Sequence, residues 1–132
     1  MINYKGLTAL AEEIHENAAA HGWWDEERKL PEILMLCVSE LSEALEIYRD
    51  GHNITEITHE CNATEADKAA HCINDCENCA YAKPEGIPVE LADTIIRVLD
   101  YCGHEGIDIE TVVRMKHEYN KTRPYRHGSK RC

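Results

Sequence analysis

The chain has 132 residues, with 25 acidic and 14 basic side chains and a formal net charge of −11 at pH 7. This length suits a single domain, residues 1–132, with its own hydrophobic core. It is too short for two domains that would each have a sizeable core. The acidic balance argues against non-specific binding to a nucleic-acid polymer or to an anionic membrane surface. Seven of the 14 basic side chains fall in the last 19 residues, however, so an anion could still be held there.

The N-terminal segment and the cysteines indicate the compartment. Acidic residues interrupt the first 20 positions, where a secretion signal would have an unbroken apolar run. No apolar run approaches the ~20 residues of a membrane-spanning helix. We therefore expect a cytoplasmic protein, in which the seven cysteines are core residues or metal ligands rather than disulfides.

Helical periodicity dominates the chain, whereas alternation at period two is scarce, so we expect an all-α fold of four helices. Pro31 suits the first turn of the second helix, Gly103 with Gly106 ends the third, and Asp108 can cap the fourth. The helices are expected to cover about residues 4–21, 31–50, 89–101 and 109–123.

The first, second and fourth helices carry apolar stripes at helical spacing, which we expect to face the core. The stripe on the second helix consists of Leu34, Val38, Leu41, Leu45 and Tyr48. The stripe on the fourth consists of Ile109, Val112, Val113 and Tyr119.

The second and third helices each carry two carboxylates three residues apart, on a side otherwise flanked by apolar residues. The pairs are Glu40 with Glu43 and Glu90 with Asp93. Residues at i and i+3 point the same way on a helix, and like charges held close in a partly dry site must be neutralised or protonated. If the two helices pack antiparallel, the four carboxylates converge into a site that suits Mg²⁺ or Mn²⁺.

A structural alternative needs no metal. Glu40 and Glu43 would then lie on a solvated edge, and Arg97 would pair with Asp93 or Asp100. Apolar neighbours make a poor solvated face, and two helices show the same pattern, so the metal site is the favoured interpretation.

The two carboxylate motifs, "SELSE" and "VELAD", make the sequence similar to a known family. The chain resembles the MazG-like all-α NTP pyrophosphatases, a group that includes dimeric dUTPases, dCTP pyrophosphatases and phosphoribosyl-ATP pyrophosphatase. The resemblance covers everything except residues 51–82. Its three blocks are "GWWDEERKLPEILMLCVSELSEALE", "KPEGIPVELADTIIRVLDYC" and "KHEYNKTRPYRHG".

The resemblance implies a four-helix MazG-like bundle that hydrolyses a nucleoside triphosphate to the monophosphate and pyrophosphate, by cleavage between the α- and β-phosphates. It also implies that Glu40, Glu43, Glu90 and Asp93 are the catalytic residues and hold Mg²⁺. Such a displacement needs charge neutralisation and an oriented water. Glu43 or Glu40 could take the proton from that water.

Further substrate contacts are expected outside the acidic site. Lys116, Asn120 and Arg123 recur at i, i+4 and i+7 near the end of the fourth helix. They could simply stabilise the helix end through its dipole, but the resemblance favours contacts with the triphosphate. Trp23 and Trp24 could cap a core, or one of them could stack on the base, since in the family the region before the ExxE helix contributes to the base pocket.

The segment of residues 51–83, called the insert below, departs from the family, whose members commonly have a short loop here. It contains the four cysteines Cys61, Cys72, Cys76 and Cys79. The CxxC spacing of the last two is that of structural zinc sites, and His59 or His71 could replace a cysteine. Two interpretations stay open: one structural Zn²⁺, or a flexible reduced loop whose cysteines bind nothing.

The second and third helices are apolar on two sides and have more surface to bury than a four-helix monomer offers. We therefore expect a homo-oligomer, a dimer or a tetramer, unless the insert covers that surface. Two rival functions stay open. One is a non-catalytic, zinc-stapled helical binding or scaffold module, and the other is a phosphoribosyl-ATP pyrophosphatase acting on a histidine-pathway intermediate.

Overall fold

The structure, a computed structural model, describes residues 6–72, 74–129 and 131. These residues are mostly helical and include one two-stranded sheet. Within these ranges no helix combines the length with the apolar composition that a bilayer-spanning segment needs. In chain order the elements are α1 (Leu7–Ala20), α2 (Leu30–Arg49), β1 (Thr58–Cys61), α3 (Glu65–His71), β2 (Ala82–Glu85), α4 (Ile87–Glu105), α5 (Ile109–Lys121) and α6 (Arg126–Ser129).

The four predicted helices are present as α1, α2, α4 and α5, and their ends follow local sequence signals. Pro31 lies in the first turn of α2, where its missing N–H is not needed. Asp108 caps α5, because its carboxylate accepts hydrogen bonds from the backbone N–H of Thr111 at 3.3 Å and from the hydroxyl of the same residue at 2.6 Å. Residues 4 and 5, where the predicted first helix begins, lie outside the described residues.

The third predicted helix is longer than expected, because Gly103 does not end it. A Cβ at position 103 would lie 2.5 Å from the carbonyl oxygen of Ala11 and 2.6 Å from Cβ of His15. Gly103 therefore allows the close approach of α1 to α4, and the helix continues to Glu105. Gly106, with a φ of 68°, terminates it.

The backbone forms two compact units. One takes the described residues of Met1–Glu27 and Leu99–Cys132, and the other takes Arg28–Val98. The organisation of residues 1–132 as one MazG-like domain stays a prediction. The core of the first unit consists of Ala11, Leu99 and Cys102, with Leu7, Ile14 and Ile109 packed against it.

The insert adds a small sheet to the predicted helices. Strands β1 and β2 pair antiparallel, with Thr58 opposite Glu85 and Cys61 opposite Ala82. Helix α3 lies between them in sequence and begins with a capping box. In this box the Thr64 hydroxyl accepts from the backbone N–H of Asp67, whose carboxylate accepts from the backbone N–H of residue 64. The sequence did not predict these elements.

The apolar stripe of α2 is exposed, contrary to expectation. Its five members (Leu34, Val38, Leu41, Leu45 and Tyr48) are each about half exposed. The buried residues of α2 are instead Ile33, Glu40 and Ala44, on the line that carries the carboxylates. The prediction for α5 was also wrong for Val112, Val113 and Tyr119, which are exposed, while Ile109 packs against the core.

Candidate metal centre

Carboxylates from α2 and α4 meet in the unit formed by Arg28–Val98. One oxygen each from Glu40, Glu90 and Asp93 lies within 4.8 Å of the others. Glu40 is 8% exposed and Glu90 is 6% exposed, so two of the three acids are buried. Among the described residues, no other group of three His, Cys, Asp or Glu side chains comes this close. The structure thus brings together three of the four carboxylates that the sequence singled out.

The start of α4 is positioned by a glycine. Gly86 has a φ of 137°, and a Cβ at this position would collide with the carbonyl oxygen of Glu56. The Gly86 carbonyl accepts a hydrogen bond from the backbone N–H of Glu90 at 3.1 Å. This bond closes the first turn of the helix. Glu90 therefore lies in the first turn of α4, where the helix dipole favours a carboxylate.

The electrostatics of this group indicate an excess of negative charge. Burial is the main cause that raises the pKa of Glu90 to about 7. The charges of Glu43, Asp93 and Glu40 raise this pKa further. Burial, followed by the charge of Glu40, also raises the pKa of Asp93, whereas Arg97 lowers it. Such a group is stabilised either by protonation or by a cation.

Arg97 supplies one positive charge to the group. Its Nε donates a hydrogen bond to Oε1 of Glu40 at 2.5 Å, from α4 to α2. The sequence interpretation that paired Arg97 with Asp93 or Asp100 was therefore wrong about the partner. Residue spacing shows only neighbours on the same helix, so the contact with Glu40 was missed.

Glu43 stands at the rim of this group. It is exposed, and after burial its charge is the largest contribution to the raised pKa of Glu90. An open cleft of 420 Å³ lies beside it and is lined by Ser39, Ser42, Glu43, Glu46, Ile47, Glu85 and Glu90. Glu46 and Glu85 were not predicted as part of a site, because neither belongs to the ExxE or ExxD motif.

The predicted phosphate contacts lie in the other unit. Lys116 and Asn120 are exposed on α5, and Arg123 is half-buried just beyond the helix end. The ammonium of Lys116 lies 4.7 Å from the ring centroid of Tyr119. A role for these residues in triphosphate binding stays a prediction.

The two tryptophans have different surroundings. Trp24 stacks on His104, with ring centroids 3.9 Å apart and planes 11° apart, and its Nε1 donates to the Asp100 carboxylate at 3.0 Å. The same carboxylate lies 2.9 Å from Nδ1 of His15. Trp23 is 63% exposed. Trp24 therefore helps to connect the elements of its own unit, and stacking of either tryptophan on a base stays a prediction.

The predicted zinc ligands lie in the insert. Cys61, Cys72 and Cys76 are exposed, and Cys79 is half-buried. They do not form a group of three within 4.8 Å among the described residues. The side chain of His71 lies outside the described part, and that of His59 is half-buried.

Comparisons of the chain with family models, with curated proteins and with solved structures gave no match. The resemblance to MazG-like proteins therefore rests on the sequence motifs.

Proposed function

We propose that this chain is a cytoplasmic MazG-like nucleoside triphosphate pyrophosphohydrolase that depends on Mg²⁺, or on Mn²⁺ in its place. It would cleave a ribo- or deoxyribonucleoside triphosphate between the α- and β-phosphates. The observation that carries the proposal is the convergence of Glu40, Glu90 and Asp93 from two helices, with two of the three carboxylates buried. Burial of several carboxylates in one place is costly unless a cation or protons compensate.

The donor set fits a hard divalent cation. All three converging groups offer carboxylate oxygens, which Mg²⁺ and Mn²⁺ prefer. Glu40, Glu90 and Asp93 would hold the ion. When bound, the ion would neutralise phosphate charge and polarise a phosphoryl oxygen.

Glu43 is the better of the two candidates for the general base. Glu40 is buried and engaged by Arg97, whereas Glu43 is exposed on the open cleft beside Glu90. Glu43 would accept a proton from the attacking water as the new phosphorus–oxygen bond forms. The bond to the bridging oxygen then breaks, and pyrophosphate leaves with the electron pair.

Substrate contacts complete the proposal. Lys116 and Arg123 carry positive charge and Asn120 is a hydrogen-bond donor, as a triphosphate requires. Trp23 exposes a large aromatic surface on which a base can stack.

The exposed stripe of α2 supports a homo-oligomer. Leu34, Val38, Leu41, Leu45 and Tyr48 form an uncharged surface along one side of the helix. A second copy of the chain is the occupant that we propose, since the same stripe on both copies is self-complementary about a two-fold axis. Because the stripe has no charged side chains, its contact would bring no like charges directly against each other in two chains of net charge −11.

The experiment is a substrate panel. The eight common NTPs and dNTPs, with phosphoribosyl-ATP beside them, are incubated with the protein and Mg²⁺, and pyrophosphate is measured through a coupled inorganic pyrophosphatase. We expect a monophosphate and pyrophosphate from at least one nucleotide. In EDTA, where the coupling enzyme also lacks its Mg²⁺, the nucleotides are separated by chromatography, and we expect no monophosphate. Turnover of phosphoribosyl-ATP alone would assign the chain to that enzyme. No turnover of any compound would favour the scaffold function.

A further inference from the structure

The insert contains short elements of secondary structure but has no buried core of its own among its described residues. It contains the four-residue strand β1, the first two residues of β2 and the seven-residue helix α3. None of its described residues is buried. An isolated two-stranded sheet of this size is marginal in water, and small folds without a core usually need a cross-link or a metal. Something other than hydrophobic burial is therefore required to hold it.

Three of its cysteines lie around the end of the sheet where the chain leaves β1 and later enters β2. Cys61 is the last residue of β1 and pairs with Ala82, the first residue of β2. The Ala82 N–H donates to the carbonyl of Cys79 at 3.1 Å, and the Cys79 N–H donates to the carbonyl of Cys76 at 3.4 Å. Two successive tight turns thus connect the CxxC pair to the residue opposite Cys61.

The loop around the CxxC pair is held by side-chain hydrogen bonds. The Asp75 carboxylate accepts from the backbone N–H of Asn78 at 3.4 Å and from its side-chain amide at 2.7 Å. These bonds span the turn that contains Cys76, so its conformation does not depend on the sulfur atoms alone.

The fourth cysteine, Cys72, lies at the C-terminal end of α3. Its backbone N–H donates to the carbonyl of Lys68 at 3.1 Å. Its thiol donates a hydrogen bond to Oδ1 of Asn74 at 3.6 Å. Helix α3 has seven residues, so one short helix separates Cys72 from the end of β1 along the chain.

We propose that Cys61, Cys72, Cys76 and Cys79 bind one structural Zn²⁺ ion that closes the insert. Four thiolates form the donor set of a closed tetrahedral zinc site, and the CxxC pair has the required spacing. Among the described residues no three of these sulfur atoms lie within 4.8 Å of one another, so zinc binding would require them to move closer together. Each thiol gives up its proton as it becomes a ligand, which couples zinc binding to folding of the insert.

The test is the zinc content of the full chain purified without added zinc. We expect about one zinc per chain. The double variant Cys76→Ser/Cys79→Ser should lose it, whereas Cys37→Ser, a half-buried cysteine on α2 outside the insert, should retain it. A wild-type protein with less than about half an equivalent of zinc, or a double variant with unchanged zinc, would overturn the proposal.

A spectroscopic measurement on the wild-type chain covers the case in which the double variant fails to fold. Replacement of zinc by Co²⁺ should give a sulfur-to-cobalt charge-transfer band and intense tetrahedral d–d bands. A weak octahedral spectrum, or a thiol titration that finds two disulfides in place of four thiols, would contradict the site. The variant Glu90→Gln should keep its zinc, so that loss of the proposed activity and loss of this site can be told apart.

Discussion

The guanidinium of Arg97 and the carboxylate of Glu40 form an ion pair from α4 to α2, with 2.5 Å between Nε and Oε1. Glu40 belongs to the acidic group with Glu90 and Asp93. Arg97 therefore provides part of the positive charge that a divalent ion would provide in the proposed enzyme. Binding of the proposed ion would therefore weaken the ion pair between Arg97 and Glu40.

Substitution Arg97→Gln should destabilise the metal-free protein. Glu40 is buried, and its carboxylate would lose its charged partner. Because the Arg97 side chain is 35% exposed, we expect a loss of only about 1–2 kcal/mol in EDTA. Mg²⁺ should restore more stability to the variant than to the wild type, as measured by thermal unfolding with and without the ion.

Arg114→Gln is the matched control. Arg114 also pairs with a glutamate, Glu110, but its side chain is 76% exposed. We expect a change of about 0.5 kcal/mol or less. An Arg97→Gln protein as stable in EDTA as this control would argue against the role assigned to the ion pair.

Substitution Glu43→Gln should remove the proposed general base while keeping the size and the hydrogen-bonding capacity of the side chain. We expect kcat to fall by about 10²- to 10⁴-fold, with little change in stability because the residue is exposed. The measurement is pyrophosphate release on the best nucleotide of the panel. Glu46→Gln, on the same cleft, should stay within a few-fold of the wild type; equal rates for the two variants would remove Glu43 from the chemistry.

The metal-free protein should lose stability as pH rises from about 4.5 to about 7. The pKa of Glu90 is raised from 4.5 to about 7, chiefly by burial, so in this window the folded state binds more protons than the unfolded state. The resulting loss in the free energy of unfolding is at most about 3 kcal/mol. It is complete once the pH lies well above 7, where Glu90 is ionised in both states. Denaturant unfolding in EDTA at several pH values measures it.

Glu90→Gln mimics the protonated acid and should remove this part of the pH dependence. The variant should be more stable than the wild type at pH 8 in EDTA, and the order should reverse when Mg²⁺ is added. A wild-type protein whose stability rises between pH 5 and pH 7 by the same amount as the variant would contradict the assignment.

Substitution Leu41→Glu should dissociate the proposed oligomer. Leu41 is 46% exposed in the middle of the α2 stripe, and a charge there would be desolvated in the interface. Light scattering coupled to size exclusion should give a dimer or tetramer for the wild type and a monomer for this variant. Tyr125→Glu, at an 84% exposed position outside α2 in the sequence, should leave the oligomer intact. A monomeric wild type would exclude the assembly.

The sequence predicted the main helices because their signals are local. Pro31 and Asp108 act within one turn, so their effect can be read without the fold. Gly103 was misinterpreted because a glycine that ends a helix and one that admits a neighbouring helix look alike in sequence. The strands were missed because each has only four residues, and β2 contains Pro84.

The candidate site was predictable in its residue types but not in its burial. Both sides of α2 are apolar, so the sequence does not show which side is buried. In the structure the side with Ile33 and Ala44 is buried, and the apolar stripe on the other side is exposed. The partner of Arg97 depends on how α2 packs against α4, and residue spacing within one helix carries no such information.

The most direct test of the account is a crystal structure of the full chain with Mg²⁺ and a non-hydrolysable nucleoside triphosphate. The account predicts a metal ion about 2.1 Å from carboxylate oxygens of Glu40, Glu90 and Asp93, phosphate oxygens completing its coordination, and Arg97 displaced from Glu40. A nucleotide bound elsewhere, with no ion among these carboxylates and Arg97 still on Glu40, would contradict it.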